Sequence, residues 1–193
     1  NEKHFFIDKG VEKNKEFTVL FRGRFLPESG IDTIIKTAKL LENEKIYFLI
    51  IGHGFLYKTV NALIKKLHPK NMTVIQEFLS YNELRKKMFS CHISLGQLAN
   101  NQRLYRTLPC KLFESLALGL PYLTGRNTGV LELLKENETC LIVESANPKE
   151  LAKKILALKN NPNLLEKVAK QGYKLYKEKL TSKQLAKEFI DNL

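Results

Sequence analysis

Arginines that follow predicted strands are the residues of this 193-residue chain best suited to bind an anion. Arg24 comes directly after Gly23, where a predicted strand gives way to a loop. Glycine permits a tight turn there, and a guanidinium can grip a phosphate with two parallel hydrogen bonds. No Gly-Lys-Ser/Thr sequence follows, which excludes a P-loop. All six arginines are candidates for binding chemistry: Arg22, Arg24, Arg85, Arg103, Arg106 and Arg126.

A second candidate segment surrounds Pro109 and Glu114. Pro109 stands where a helix is predicted to begin, with free backbone N–H groups and the positive end of the helix dipole. Glu114 lies on that helix among apolar neighbours. A buried carboxylate is costly unless it accepts hydrogen bonds, and paired ribose hydroxyls are suitable donors. The alternative interpretation is a helix glutamate that faces solvent.

Histidine and cysteine give weaker signals. Gly52-His53-Gly54 closes the second predicted strand, but Tyr57 stands where a dinucleotide-binding fingerprint needs a third glycine. A Rossmann dehydrogenase is therefore disfavoured. The three cysteines are widely spaced and have no zinc-finger spacing, so no metal site is predicted and a reducing compartment is expected.

The elements that would position these residues alternate along the chain. Runs of apolar residues, typical of strands buried on both faces of a parallel sheet, alternate with segments of helical period. The predicted strands are Phe17 to Phe21, Ile46 to Ile51, Met72 to Ile75, His92 to Leu95, Pro121 to Thr124 and Cys140 to Val143. The last two predicted crossover segments are Pro109 to Gly119 and Val130 to Glu136. The pattern predicts one α/β domain over residues 1–193, a Rossmann-like open parallel sheet of about six strands with helices on both faces.

After Val143 the pattern is helical only, which predicts an all-helical C-terminal tail. Asn147-Pro148-Lys149-Glu150 has the spacing of a capping box at the start of a helix. From Lys149 onward the tail holds eleven lysines against five acidic residues, half of the net charge of +12. Such charge indicates an anionic partner: nucleic acid, an anionic membrane surface or a phosphorylated small molecule. A solvated helix face is the simpler interpretation of the tail.

Five segments, in this order, resemble the C-terminal, donor-binding domain of the group 1 glycosyltransferases, a retaining family of GT-B fold. They are Gly23-Arg24-Phe25 with Gly30, Ile50 to Gly54, Leu79 to Leu84, Pro109 to Pro121, and Gly129 to Glu132. Each segment is weak alone, but their order and spacing together are specific. They extend across nearly the whole chain.

The resemblance implies a nucleotide-diphospho-sugar as the donor substrate, with no cofactor and no metal needed for catalysis. The implied catalytic residues are Arg24, which holds the diphosphate, and Glu114, which binds the ribose as the second Glu of the family's Glu, seven residues, Glu signature. The base is expected near Glu77, Phe78 and Leu79. The predicted donor-binding residues are Gly23, Arg24, Gly52, Phe78, Arg106, Cys110, Lys111 and Glu114.

The resemblance also implies a saccharide or lipid-linked acceptor, bound mainly by an N-terminal domain outside this chain. Hexosyl transfer in cell-surface polysaccharide or glycolipid synthesis is expected, in the cytoplasm, and the lysine-rich tail could draw the enzyme to the inner face of the membrane. The isolated domain is expected to bind nucleotide without turning over.

Three departures from the family pattern qualify this prediction. Ser29-Gly30 stands where many relatives carry Lys-Gly, Arg106 stands in place of the first Glu of the signature, and Glu77 replaces a usual Gly. Reduced activity or an altered donor is inferred. Arg103 or Arg106 could replace the missing lysine at the diphosphate or pair with an acidic donor sugar.

Three other functions remain open at this point. One is a non-catalytic GT-B-like module that binds a nucleotide or a partner, and another is a GT-B sugar-nucleotide epimerase with the same donor site. Nucleic-acid binding is favoured by charge alone, because the lysine-rich tail has few interleaved aromatic residues. No nucleic-acid partner is therefore predicted.

Overall fold

The computed structural model describes residues 2–191. It contains a six-stranded parallel sheet with helices packed on both faces. The strands are β1 (Phe17–Arg22), β2 (Ile46–Ile51), β3 (Met72–Ile75), β4 (Ile93–Leu95), β5 (Tyr122–Gly125) and β6 (Leu141–Val143). The helices are α1 (Ile31–Leu40), α2 (Tyr57–Leu67), α3 (Tyr81–Phe89), α4 (Cys110–Ala117), α5 (Thr128–Leu131), α6 (Pro148–Lys159), α7 (Pro162–Leu175) and α8 (Ser182–Asp191). The predicted fold class is confirmed.

The strand order is β3-β2-β1-β4-β5-β6, and every pairing is parallel. Strand β1 lies at the centre, and its side chains enter two separate cores. Val19 and Phe21 join the core beneath α1, α2 and α6, whereas Leu20 joins the core beneath α3 and α4. Burial on both faces explains why β1 is a continuous apolar run without alternation.

Side-chain caps fix where several helices begin. The Asn147 side chain accepts a hydrogen bond from the Glu150 backbone N–H (3.1 Å), so the predicted cap of α6 is present. A complete capping box forms instead at α3, between Ser80 and Glu83. Both caps satisfy N–H groups that have no partner within their helices.

The predicted crossover segment from Val130 to Glu136 is wrong in its extent. Helix α5 begins earlier, because Asn127 accepts the Val130 N–H (3.0 Å), and it ends at Leu131. A turn follows, in which the carbonyl of Lys135 accepts the backbone N–H of Thr139. Asn137, within that turn, has a positive φ of 59° and so adopts the left-handed conformation.

The C-terminal tail is helical, as predicted. Between α7 and α8, residues Tyr176–Leu180 form a π-helical stretch that packs against α4. None of the helices formed within residues 2–191 is long and apolar enough to cross a bilayer.

Candidate functional site at the carboxyl edge of the sheet

The candidate site lies where β1 and β4 end, at the centre of the sheet. The chain leaves β1 toward β2 on one side and leaves β4 toward β5 on the other. The two connections diverge and open a crevice, which is where ligands bind in open parallel sheets. Helix α4 begins in this region, at Cys110.

Two glycines allow the loops above β1 and β2 to touch. A Cβ on Gly52 would lie 1.9 Å from the carbonyl oxygen of Gly23, so no other residue fits there. Gly23 has a φ of 154°, and a Cβ on it would lie 2.9 Å from the Lys111 ammonium nitrogen. Gly52 therefore lets its backbone approach the backbone of Gly23, and Gly23 leaves space beside the loop after β1 for the Lys111 side chain.

Helix α4 presents two faces. Lys111, Leu112, Ser115 and Leu116 are buried against the sheet, and the Ser115 hydroxyl contacts that of Ser94 on β4 (2.7 Å). Cys110, Phe113, Glu114 and Ala117 lie on the other face and line a cavity. Pro109 precedes the helix, and no side chain caps it. Within residues 2–191 the backbone N–H groups of Cys110 and Lys111 have no hydrogen-bond partner, whereas that of Leu112 donates to the carbonyl of Pro109 (2.9 Å).

Glu114 pairs with Arg22, the last residue of β1. The Nη1 atom of Arg22 lies 2.9 Å from Oε2 of Glu114. The pair is a charge contact rather than an aligned hydrogen bond, because Oε2 is buried and accepts no hydrogen bond within residues 2–191. Burial raises the pKa of Glu114, and the cations of Arg22 and Lys111 oppose that rise. Arg22 thus holds the carboxylate in place, and its Oε2 atom can still accept a hydrogen bond from a ligand.

Lys111 is 6% exposed, and its ammonium group has few partners. The Nζ atom lies 3.8 Å from the centroid of the Phe21 ring and 3.4 Å from Oε1 of Gln97. Burial, helped by the nearby positive charge of Arg22, lowers its pKa to about 7, while Glu114 acts in the opposite direction.

A cavity of about 380 Å³ opens beside Glu114. Arg22 and Glu114 are its two charged lining residues, and Cys110 and Ser182 add polar atoms. The remaining wall is aromatic or aliphatic: Phe5, Tyr81, Phe113, Ala117, Tyr176, Leu180 and Leu185. An apolar cavity with a few fixed polar groups is the usual form of a small-molecule site.

The structure brings together Gly23, Gly52, Lys111 and Glu114 of the predicted site. Cys110 lines the same cavity as Glu114. The predicted solvent-facing alternative for Glu114 is wrong, since 13% of its side chain is exposed.

Other predicted site residues stand outside this group. Arg24 and Phe78 are exposed on the loops after β1 and β3, and Arg106 is exposed at the end of a short 3₁₀ segment. Within residues 2–191, no side-chain hydrogen bond or ion pair joins Arg24 or Arg106 to another residue. Arg103 pairs with Glu28 (3.2 Å) on the loop before α1.

Sequence reasoning missed two contributors to the site. It included Arg22 among the candidate arginines but predicted no partner for its side chain. It gave Gln97 no role. The signal for Arg22 was its place at the end of an otherwise apolar strand. Within residues 2–191, no cluster of three or more His, Cys, Asp or Glu side chains could hold a metal ion.

The fold and the position of the site define a Rossmann-like α/β domain with its candidate site at the topological switch point. Residues 2–175 match the family model of the group 1 glycosyl transferases. The chain belongs to that family, and the predicted resemblance is confirmed.

Individual relatives agree with this assignment. The chain is 25% identical over 184 residues to the capsular polysaccharide biosynthesis glycosyltransferase CapM of Staphylococcus aureus, covering 91% of this chain and 45% of that protein. It spans less than half the length of the curated relatives that it matches.

Solved structures share the fold. The C-terminal domain of the group 1 glycosyl transferase LpcC of Francisella tularensis has a TM-score of 0.75 and 16% identity, covering 94% of this chain and 98% of that one. Anabaena HepE, solved in complex with UDP-glucose, has a TM-score of 0.77 and 15% identity, covering 93% of this chain and 50% of that one.

Proposed function

We propose that this chain is the donor-binding half of a retaining glycosyltransferase and holds a nucleotide-diphospho-sugar at the carboxyl edge of β1 and β4. One observation supports this above the others: the buried Glu114 carboxylate, which has an oxygen without a hydrogen bond, stands at a cavity beside the uncapped start of α4. A carboxylate there suits ribose hydroxyls, and free helix N–H groups suit a phosphate.

The donor is proposed to lie with its diphosphate over the first turn of α4, at Cys110 and Lys111. Arg24 is exposed and has no ion pair within the described residues, so its guanidinium is free to fold onto the diphosphate. The base is proposed to rest on Phe78, whose side chain is fully exposed. An exposed aromatic ring offers a stacking surface to any base.

In the proposed transfer, the bond between the sugar anomeric carbon and the diphosphate oxygen breaks. A new bond forms to an acceptor hydroxyl oxygen with retained configuration, and the nucleoside diphosphate and one proton leave. Positive charge fixed beside the diphosphate stabilises the negative charge that develops on it, without a metal ion. The acceptor, a saccharide or a lipid-linked sugar, is proposed to bind mainly to the rest of a longer protein.

The relatives supply two supports for the finer proposal. CapM is named for capsular polysaccharide synthesis, which favours a cell-surface saccharide as the product. HepE was solved with UDP-glucose, which favours a UDP-linked hexose as the donor. The chain alone is proposed to bind donor but not to turn it over.

The lysine-rich tail is proposed to hold the enzyme at an anionic membrane surface. Nine of its eleven lysines are exposed, on α6, α7, the π-helical stretch and α8. Co-sedimentation with vesicles that contain increasing phosphatidylserine tests this, and binding should rise with the anionic fraction and fall with salt. Binding that ignores lipid charge would remove the membrane proposal.

A thermal-shift panel tests donor binding. UDP-, GDP- and ADP-glucose present the same sugar and diphosphate with different bases, and a CMP-linked sugar presents one phosphate. A ligand that binds only the folded chain raises its melting temperature by mass action. At least one diphosphate donor should do so, with the CMP sugar weaker. No shift with any donor at millimolar concentration contradicts the proposal.

Turnover separates the enzyme from the other open functions. The longer protein, given the donor that binds, should consume it only when acceptor saccharide is present. Release of free isomerised sugar would instead identify an epimerase. Binding without turnover would identify a non-catalytic module.

A further inference from the structure

Among the lysines of residues 2–191, Lys111 is the one that is buried. A long, hydrated side chain of this type is rarely buried without a partner for its charge. Its ammonium nitrogen is enclosed by the Phe21 ring on one side and by Gly23 on another. The enclosure demands an explanation, because an apolar side chain would fill the same space at lower cost.

The ammonium of Lys111 has fewer hydrogen-bond acceptors than its three N–H groups could use. Oxygen Oε1 of Gln97, at 3.4 Å, is its single side-chain hydrogen-bond acceptor within residues 2–191. The Phe21 ring face offers a cation–π contact but no lone pair. Two donors are therefore available to an incoming anion.

The charged groups that face Lys111 do not neutralise the site. Arg22 on β1 repels the ammonium, and Glu114 on α4 attracts it but already pairs with Arg22. Gln97, after β4, and Phe21, on β1, carry no charge. The positive end of α4 adds to the excess. An anion at this edge would stabilise the charged form of Lys111. Burial alone favours the neutral amine.

The loop before α1 offers no second cation. Ser29 stands where the resemblance leads one to expect lysine, and its hydroxyl is buried and donates to the carbonyl of Leu26 (2.6 Å). Arg103, a predicted replacement, instead pairs with Glu28 on that loop. Lys111 reaches the underside of Gly23 from α4, on the strand end that precedes Arg24.

We propose that the Lys111 side chain supplies the second positive charge at the donor diphosphate, and that it takes up its proton as the donor binds. The proposal rests on the proposed function of this site. Before the donor binds, a neutral amine avoids the cost of burying an unpaired charge. When the donor is bound, the diphosphate oxygens accept hydrogen bonds from the ammonium.

Calorimetric titration in two buffers measures the proton directly. The chain is titrated with UDP-, GDP- and ADP-glucose at pH 7.5 in Pipes and in Tris, which differ in ionisation enthalpy. Both phosphates of these donors are fully ionised diesters at that pH, so the ligand itself neither takes up nor releases a proton. With a pKa of about 7 in the free protein, Lys111 should take up between about a half and one proton on binding.

Two variants assign the proton to this residue. Lys111→Met keeps the length of the side chain but removes the amine, and it should abolish the uptake and weaken donor binding about tenfold or more. Lys153→Met, on the exposed face of α6, removes the same charge and should change neither quantity. Gly23→Ala displaces the ammonium and should reduce the uptake without removing a charge.

The outcomes are distinguishable. If no diphosphate donor binds, the proposed function fails and this inference fails with it. If a donor binds with equal apparent enthalpy in both buffers, or if Lys111→Met takes up as many protons as the unaltered chain, the proposed function stands and the role of Lys111 is overturned. If Lys111→Met does not fold, a lack of uptake by the unaltered chain still overturns the role of Lys111, and Gly23→Ala serves to assign any uptake to this side chain.

Discussion

The guanidinium of Arg22 and the carboxylate of Glu114 lie 2.9 Å apart, and their contact ties the carboxyl end of β1 to the outer face of α4. The pair lies at one cavity and is largely screened from solvent. It therefore fixes the orientation of the residue that we propose to bind the donor ribose. Arg22 is therefore a positioning residue for Glu114.

A double-mutant cycle measures this pairing. Arg22→Met leaves Glu114 buried without its cation and should lower the free energy of unfolding by about 1–3 kcal/mol. In a Glu114→Gln background the same change should cost much less. Urea unfolding gives the four values. The exposed pair Glu166 and Lys170 on α7 is the control, with a coupling of about 0.5 kcal/mol or less. Equal costs for Arg22→Met in both backgrounds would contradict the assignment.

Lys111 should make stability depend on pH. Its pKa in the folded chain, about 7, lies below the ordinary value of 10.5, so between these values the unfolded chain binds more protons. Stability should therefore rise with pH across that window, by at most about 1.4 kcal/mol per pH unit from this group. Urea unfolding from pH 7 to 10 should show the rise in the unaltered chain relative to Lys111→Met. Parallel curves for the two proteins would be the contrary result.

Gly52→Ala should be strongly destabilising. The added Cβ would lie 1.9 Å from the carbonyl oxygen of Gly23, a backbone atom that cannot rotate out of the way as the end of a side chain could. A loss of about 2 kcal/mol or more is expected, because overpacking forces the backbone to shift. Gly10→Ala is the matched control, since the nearest atom to its added Cβ is at 3.5 Å. Similar melting temperatures for the two variants would show that the two loops do not touch.

Phe78→Ala should weaken donor binding without changing stability. Within residues 2–191 the ring is fully exposed, so its removal costs no core contact. If a base stacks on it, the affinity should fall by about 1–3 kcal/mol. Phe189→Ala, at an exposed ring on α8, is the control and should leave the affinity unchanged. Unchanged donor affinity in Phe78→Ala would show that the base does not stack on Phe78.

The sheet could be predicted because its strands carry their own signal. Ile46–Ile51 is apolar throughout, and strands buried on both faces are the usual source of such a run. The segment after β5 could not be predicted as well. The start of its helix depends on a cap at Asn127, a local hydrogen bond that apolar periodicity does not record.

The site was predictable in place but not in its contacts. Gly23 and Pro109 mark where a strand ends and a helix begins, and both observations locate a binding edge. The pairing of Arg22 with Glu114 needs the distance between two elements far apart in the chain. The burial of Lys111 had a signal, since it shares a helix face with Leu112 and Ser115, but a lysine there contradicts the usual preference for solvent.

The central claim is that this chain binds a nucleotide-diphospho-sugar through cations at the carboxyl edge of β1. Titration calorimetry with UDP-, GDP- and ADP-glucose, on the unaltered chain, on Arg24→Ala and on the charge-matched control Lys153→Ala, tests it most directly. We predict saturable binding of at least one donor, a loss of about tenfold or more in affinity for Arg24→Ala, and no change for Lys153→Ala. Absence of binding by every donor, or equal affinity of the unaltered chain and Arg24→Ala, would contradict the account.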